Sequence, residues 1–149
     1  GLLERIRRLG SVLRGVYFVA YNLYMLSSLP AVPNVNERTR IPVEAIQAVV
    51  NRIAELFKPQ KIILFGSYSY GEPKPWSDVD LLIVMESELT PNKQRLAIAR
   101  ALSPRPFAMD LLIYSPKELE ERIPLGDWFL KEAVEKGKVM YERTNERVD

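Results

Sequence analysis

The sequence predicts an α+β domain in which helices pack against a small mixed β-sheet. Short apolar runs bounded by turn residues, at 62–65, 81–84 and 107–114, have the pattern of buried strands. Segments with apolar residues at helical spacing lie around and between them. In this 149-residue chain 47% of residues are hydrophobic and 27% are charged, which is typical of one globular domain with a real core.

Residues 1–36 are predicted to be an extension, either a helix or disordered, ahead of a domain at 37–149. Four of the first 14 residues are arginine, and an uncharged segment rich in tyrosine follows at 15–36. The dipeptide Val32-Pro33 and its neighbours read as a linker.

The helices of the domain carry start and stop signals. Pro42 suits the first turn of a helix that Pro59 ends, and its apolar face is formed by Val43, Ile46, Val49, Val50, Ile53 and Phe57. Thr90 is predicted to cap a second helix that runs to about Leu102.

Two further helices follow near the C-terminus. Ser115 and Glu118 fit a capping box, which predicts a short helix. A last helix is predicted from Trp128 to Lys136, with Gly137 as its stop.

Four strands are predicted in the order 61–65, 78–85, 107–114 and 139–141. Between the first two lies the feature with most chemical content: Gly66-Ser67, ten intervening residues, then Asp78-Val79-Asp80. Alternate residues of a strand face the same way, so Asp78 and Asp80 should lie on one side. Two adjacent carboxylates repel each other, and a hard cation such as Mg²⁺ relieves that repulsion.

The Gly-Ser turn has a matching interpretation. Gly66 permits close approach of its backbone to a ligand, and if Ser67 opens a helix, the free N–H groups form an anion site. A P-loop is excluded, because Glu72-Pro73 stands where that motif requires Lys-Ser/Thr. The aromatic residues of the following loop could stack on a nucleobase, or could be ordinary surface residues: Tyr68, Tyr70 and Trp76.

Asp110 interrupts the apolar pattern of the third strand. A lone carboxylate in a buried strand is costly unless it is paired or bound to a metal. It either joins Asp78 and Asp80, or pairs structurally with Arg105 or a backbone amide.

Composition excludes several kinds of chemistry. The chain has no Cys and no His, so disulfides, thiolate metal sites and imidazole catalysis are absent. The net charge of +2 comes from the arginine-rich start, since 17 basic and 18 acidic residues follow Asn36. A near-neutral domain argues against binding of duplex nucleic acid.

From about Ile41 to Tyr141 the chain resembles the DNA polymerase beta type nucleotidyltransferase superfamily, and within it the minimal nucleotidyltransferases. The resemblance is carried by Gly66-Ser67, ten residues, then Asp78-x-Asp80. It implies that Asp78, Asp80 and a third carboxylate, taken as Asp110, hold two Mg²⁺ ions, and that Gly66 and Ser67 bind the triphosphate of ATP or another nucleoside triphosphate. One departure is Tyr70, which stands where relatives often have Arg.

The acceptor is not given by the motif. Relatives that modify antibiotics or RNA carry an extra domain for it, and nothing is left over for one here, so we expect an acceptor on a separate macromolecule. The minimal family includes antitoxins that adenylylate a tyrosine of a partner HEPN-type ribonuclease toxin, which is the function this resemblance implies first. Transfer to a small molecule or RNA within a homo-oligomer, and a non-catalytic nucleotide-binding subunit, are the alternatives.

A basic flank before an apolar segment also resembles a signal peptide or membrane anchor. Basic residues ahead of a span stay in the cytoplasm, which would put the domain outside, away from nucleoside triphosphates. We therefore expect a cytoplasmic protein without a membrane role.

Overall fold

The computed structural model describes residues 4, 7–8, 10–16, 19 and 29–144. They confirm the predicted class, an α+β fold with a small mixed sheet. The elements are a 3-10 turn Val35–Glu37, α1 Val43–Phe57, β1 Lys61–Phe65, α2 Ser67–Tyr70, β2 Val79–Val84, α3 Pro91–Ala101, β3 Met109–Tyr114, α4 Pro116–Arg122, α5 Trp128–Lys136 and β4 Lys138–Glu142.

The strand order of the sheet is β3-β2-β1-β4. Strand β1 runs antiparallel to both β2 and β4, while β2 and β3 are parallel. The parallel pair needs a crossover, and α3 provides it. Strands β1 and β2 are therefore central, and β3 and β4 are the outer strands.

One face of the sheet packs against α1 and α3. The alternate side chains Leu64, Leu81 and Ile83 are buried there, as the period of two in a strand requires. Helix α1 buries four members of its predicted apolar face, Ile46, Val49, Val50 and Ile53, whereas Val43 is exposed and Phe57 is partly buried. Burial of each such aliphatic side chain stabilises the fold by roughly 1.5–3 kcal/mol. The helix ends at Lys58, which takes a left-handed conformation with φ 48°.

The opposite face packs against α5 and α4. Ile63, Phe65, Leu82 and Val84 form a second buried cluster there with Leu130 and Ala133 of α5. Leu119 of α4 and Ile123, the residue after α4, are packed against it. Both faces of the central strands are thus covered, which explains why their sequences are continuously apolar rather than alternating.

The predicted element boundaries hold to within a few residues. Strand β1 and helix α5 have the predicted limits, whereas β2 is shorter by one residue at each end and β3 begins at Met109 rather than at 107. Thr90 caps α3 by accepting from the N–H of Lys93 at 3.3 Å. The capping box of α4 is complete, since Ser115 and Glu118 each accept from the other's N–H at 3.1 Å.

The N-terminal extension lies largely outside the described residues. Residues 11–16 are helical and exposed, and Leu29 and Val32 are partly buried against the larger core cluster. Of the uncharged segment at 15–36, residues 17–18 and 20–28 lie outside the described residues. No helix within the described ranges is long and apolar enough to cross a membrane. The domain boundary at residue 37 stays a prediction.

Candidate active site

Strand pairing brings two of the predicted site residues, Asp80 and Asp110, together at one end of β2. Asp80 is the register partner of Phe65, the last residue of β1, on one side and of Asp110 in β3 on the other. By alternation, Asp80 and Asp110 lie on the face that carries Leu82 and Leu112, beneath α5 and α4. Two carboxylates that are 30 positions apart in the sequence are therefore neighbours in the sheet.

Gly66 and Asp80 are in direct contact. Gly66 has a φ of 70°, and a Cβ atom built on it would overlap Oδ2 of Asp80. Glycine is required here both by conformation and by space. The sequence suggested that Gly66 allows a ligand to approach its backbone; the group that approaches it in the structure is the carboxylate of Asp80.

Ser67 begins a helix, which was the condition for an anion site there, but α2 is only one turn long. The N–H groups of Ser69 and Tyr70 donate to the carbonyl oxygen of Gly66 at 3.0 and 3.1 Å. A helix of four residues adds little dipole. Any anion bound at Gly66-Ser67 would depend on local N–H groups and the Ser67 hydroxyl more than on the helix as a whole.

Asp78 lies one residue before β2 and is exposed. The loop that leads to it is held by a hydrogen bond from the N–H of Lys74 to the Ser77 hydroxyl at 2.8 Å and by one from Arg38 to the carbonyl of Pro75 at 3.1 Å. Asp78 is thus tethered close to the strand without being part of its ladder.

The three carboxylates interact electrostatically. Burial, and then the charges of Asp110 and Asp78, raise the pKa of Asp80 to about 6. Asp80 is half-buried, while the other two are exposed. Within the described parts of the chain, no ion pair involves any of the three. The pairing of Asp110 with Arg105, considered from the sequence, is therefore not formed there.

An excess of negative charge at one sheet end fits a hard cation. Carboxylate oxygens are preferred ligands of Mg²⁺, and a cation would remove the repulsion that raises the pKa of Asp80. Among the described residues, no group of three or more acids is already close enough to form a metal cluster. The donor chemistry of Asp78, Asp80 and Asp110 fits Mg²⁺, and the exposed Asp78 and Asp110 would have to rotate inward to share it.

The aromatic residues after the Gly-Ser turn are not equivalent. Tyr68 is buried at 7% exposure, and its hydroxyl accepts from the N–H of Ile41 at 3.0 Å, so the suggested nucleobase stacking is wrong for Tyr68. Trp76 and Tyr70 are exposed, and their stacking role stays a prediction.

Two side chains near the site were missed from the sequence. The guanidinium group of Arg40 lies 5.1 Å from the centre of the Tyr68 ring, which brings a cation beside α2. Phe129 packs edge-to-face on Phe65, with ring centres 5.8 Å apart, and remains 54% exposed. Neither has a local sequence signal, because each approaches the site from a distant element.

Comparison with known proteins agrees with this geometry. Residues 46–148 match the family described as nucleotidyltransferase domain, and the chain therefore belongs to that family. The match covers more than half of the chain and includes all five predicted site residues. It confirms the resemblance at the level of the superfamily and supports nucleotidyl transfer as the general class of function.

A solved crystal structure from Sulfolobus solfataricus, provisionally described as a nucleotidyltransferase, is similar in fold. It has 15% sequence identity and a TM-score of 0.49 over 82% of this chain and 87% of that one. No curated protein matches the sequence.

Proposed function

We propose that this protein is an Mg²⁺-dependent nucleotidyltransferase of the cytoplasm that moves AMP from ATP to a hydroxyl group on a separate protein. The observation that carries the proposal is the adjacency of Gly66, Asp80 and Asp110 across three neighbouring strands. The family match supports a nucleotide as the substrate class.

The β1–β2 side would bind the nucleotide. Asp78 and Asp80 would hold the Mg²⁺ ions that accompany the triphosphate, and Gly66 and Ser67 would bind its β- and γ-phosphates. The ions would supply Lewis-acid stabilisation of the charge that develops on the phosphate oxygens. The contact between Gly66 and Asp80 would hold the phosphate-binding turn and the metal ligand at a fixed separation.

The β3 side would serve the acceptor. The acceptor oxygen attacks the α-phosphorus, the bond from that phosphorus to the oxygen bridging to the β-phosphate breaks, and pyrophosphate leaves with the electron pair. The acceptor proton moves to a carboxylate oxygen of Asp110, which the exposed position of this residue allows. A carboxylate base is the available choice in a chain without His.

The acceptor we propose is a tyrosine of a partner protein, a HEPN-type ribonuclease toxin, as in the antitoxins that the motif resembles. Support comes from the position of Asp110 on an outer strand, exposed and next to a cavity of about 410 Å³. Such an opening suits a group delivered by another macromolecule.

The decisive experiment is isotope transfer. The full chain is incubated with Mg²⁺, candidate acceptor proteins and ATP that carries radiolabel at either the α- or the γ-phosphate. Label from the α-position should appear on the acceptor and label from the γ-position should be released in pyrophosphate, with Asp78→Asn inactive and Glu88→Gln, a change at an exposed acid, unaffected. Transfer of γ-label would identify a kinase and overturn the proposal, as would α-label transfer that Asp78→Asn leaves intact.

A further inference from the structure

The outer strand β3 has a free edge. Among the described residues it pairs with β2 alone. The N–H of Val79 donates to the carbonyl of Ala108 and that of Met85 to the carbonyl of Tyr114. Because backbone groups in a parallel strand alternate in direction, the even-numbered residues of β3 face β2. The N–H and C=O groups of the odd-numbered residues point outward: Met109, Leu111 and Ile113.

Two cavities follow this free edge. One, of about 410 Å³, touches the consecutive residues 109–111, and the other, of about 230 Å³, touches the consecutive residues 111–114. Side chains of consecutive strand residues point to opposite faces, so a cavity that touches each of them must reach the backbone edge itself. Both cavities also contact Asn92 and Arg95 of α3 and share Leu111 of β3; the two adjoining cavities together are here called the β3 groove.

The β3 groove has the length of a peptide strand. Its six residues, 109–114, span about 20 Å at the usual rise of a strand, and Asp110 lies at one end. An outer strand is normally protected by a lysine, a proline or a bulge. Strand β3 contains no lysine and no proline, and it has no bulge, since its pairing with β2 runs without a shift in register.

Positive charge dominates the walls of the groove. Arg105 lies near the Asp110 end, Arg95 in the middle and Arg122 at the Tyr114 end, all three exposed. Arg122 also lies 3.8 Å from a carboxylate oxygen of Asp127. Besides Asp110, the only acidic side chain of the described residues that lines the two cavities is Glu118, which is engaged in its capping box.

We propose that the β3 groove binds an extended acidic segment of the acceptor protein by β-strand addition and thereby delivers its hydroxyl group to Asp110. The outward backbone groups would form the ladder, which gives affinity independent of sequence. The arginines would select acidic side chains and speed encounter. The delivery to Asp110 rests on the proposed nucleotidyl transfer, whereas strand binding does not.

A backbone-specific variant tests the ladder. Ile113→Pro removes one outward N–H group, and its nitrogen lies on the free edge, where proline is tolerated. Ile113→Ala is the matched control, since it also loses the side chain but keeps the N–H. The probe is a fluorescein-labelled peptide, Glu-Val-Glu-Val-Tyr-Val, with Lys-Val-Lys-Val-Tyr-Val as its counterpart, and binding to the full chain is measured by fluorescence anisotropy without ATP.

The acidic peptide should bind, with the basic peptide roughly tenfold weaker or more. Ile113→Pro should weaken binding of the acidic peptide about tenfold, the value of one hydrogen bond of about 1.4 kcal/mol, while Ile113→Ala stays within about threefold of wild type. Equal binding of both peptides, or equal effects of the two variants, would overturn the proposal. Circular dichroism and thermal melting check the fold of each variant.

A charge-based variant keeps the test valid should the proline variant unfold. Arg95→Glu combined with Arg122→Glu should abolish the preference for the acidic peptide, whereas Arg100→Glu, an exposed change on α3 that does not line the groove, should retain it. If wild type is a dimer by light scattering and Ile113→Pro is a monomer, the edge is occupied by a second copy and the proposal fails.

Transfer assays separate this proposal from the proposed function. Peptide binding without α-label transfer would support strand binding in the groove and contradict the proposed nucleotidyl transfer. If α-label is transferred to an acceptor protein, and the KM for that acceptor is the same with wild type and Ile113→Pro, the proposed nucleotidyl transfer is supported and strand binding in the groove is contradicted.

Discussion

The two sides of β2 are built differently around the same carboxylate. On the β1 side, Gly66 and Asp80 are in contact so close that a single methyl group would not fit. On the β3 side, Asp110 is exposed on an outer strand and lines a cavity of about 410 Å³. One side is closed by direct contact between a glycine and a carboxylate, and the other is open, with an exposed carboxylate beside a free strand edge.

This difference matches the two substrates we propose. A nucleoside triphosphate is the same small molecule in every cycle, so its site gains from being preorganised. An acceptor carried by a macromolecule has to enter from outside with its own backbone attached, and an outer strand leaves room for that. Two kinds of mutational effect are therefore expected. A change on the β1 side should weaken nucleotide binding and lower the transfer rate together, whereas a change on the β3 side should lower the transfer rate alone.

The largest effect is expected for Asp80→Asn, at the residue that the two sides share. Loss of a metal-ligating charge removes several kcal/mol of transition-state stabilisation, which corresponds to a fall in kcat/KM of roughly a thousandfold or more. Binding of ATP with Mg²⁺, measured by calorimetry, should weaken as well. Glu88→Gln, at an exposed acid outside the site, serves as the control, and a fully active Asp80→Asn protein would disprove the assignment of the metal site.

Asp110→Asn should separate the two sides. Because Asp110 is exposed and forms no ion pair with the described residues, the variant should keep its melting temperature. Affinity for ATP with Mg²⁺ should stay within a few-fold of wild type. The transfer rate at saturating ATP should fall roughly a hundredfold, the scale for loss of a general base. Near-normal turnover in the folded variant would exclude the three-carboxylate mechanism.

Gly66→Ala tests the closed side without changing any charge. The added methyl group would displace the carboxylate of Asp80, and a misplacement of about 1 Å costs up to roughly a hundredfold in rate. The variant should also bind ATP more weakly. Gly126→Ala is the matched control, because Gly126 has a φ of 103° with nothing near the added atom. It carries backbone strain of about 1 kcal/mol and should lose stability without losing transfer.

Local signals in the sequence were sufficient for the elements. The caps at Thr90 and Ser115 and the apolar spacing of α1 act over a few residues, so their predicted structure does not depend on the rest of the fold. The same holds for the motif itself. Gly66 directly follows β1 and Asp80 lies at the start of β2, and both positions are visible from the apolar runs beside them.

Contacts between elements that are distant in the sequence could not be predicted from such local signals. The burial of Tyr68 depends on a hydrogen bond with Ile41, before α1, and Phe129 reaches the site through the packing of α5 on β1. The assignment of β3 as an outer strand depends on strand order, which an apolar run does not specify. The sequence therefore predicted the two carboxylates, Asp80 and Asp110, that the structure places side by side, and it missed the open groove beside one of them.

The smallest effect expected is on the stability of the metal-free protein, and it again concerns Asp80. Its pKa is about 6 in the folded chain against an ordinary value of 3.8, because burial and then the charges of Asp110 and Asp78 disfavour ionisation. The folded state thus holds this proton more tightly than the unfolded state, so ionisation destabilises the fold as pH rises from about 4 to 6. Asp80→Asn lacks this titration.

In EDTA, the melting temperature of wild type relative to Asp80→Asn should fall by a few degrees between pH 4.5 and pH 7.5, since about 1 kcal/mol shifts it by roughly 2–4 °C in a chain of this size. The difference between the two proteins cancels the titration of the other acidic groups. Addition of Mg²⁺ at pH 7.5 should raise the melting temperature of wild type and leave that of Asp80→Asn nearly unchanged, because the variant lacks the central carboxylate with which Asp78 and Asp110 would share the cation. If the difference in melting temperature between wild type and Asp80→Asn does not vary with pH, Asp80 is hydrated in the folded protein. The β1 side would then not be closed.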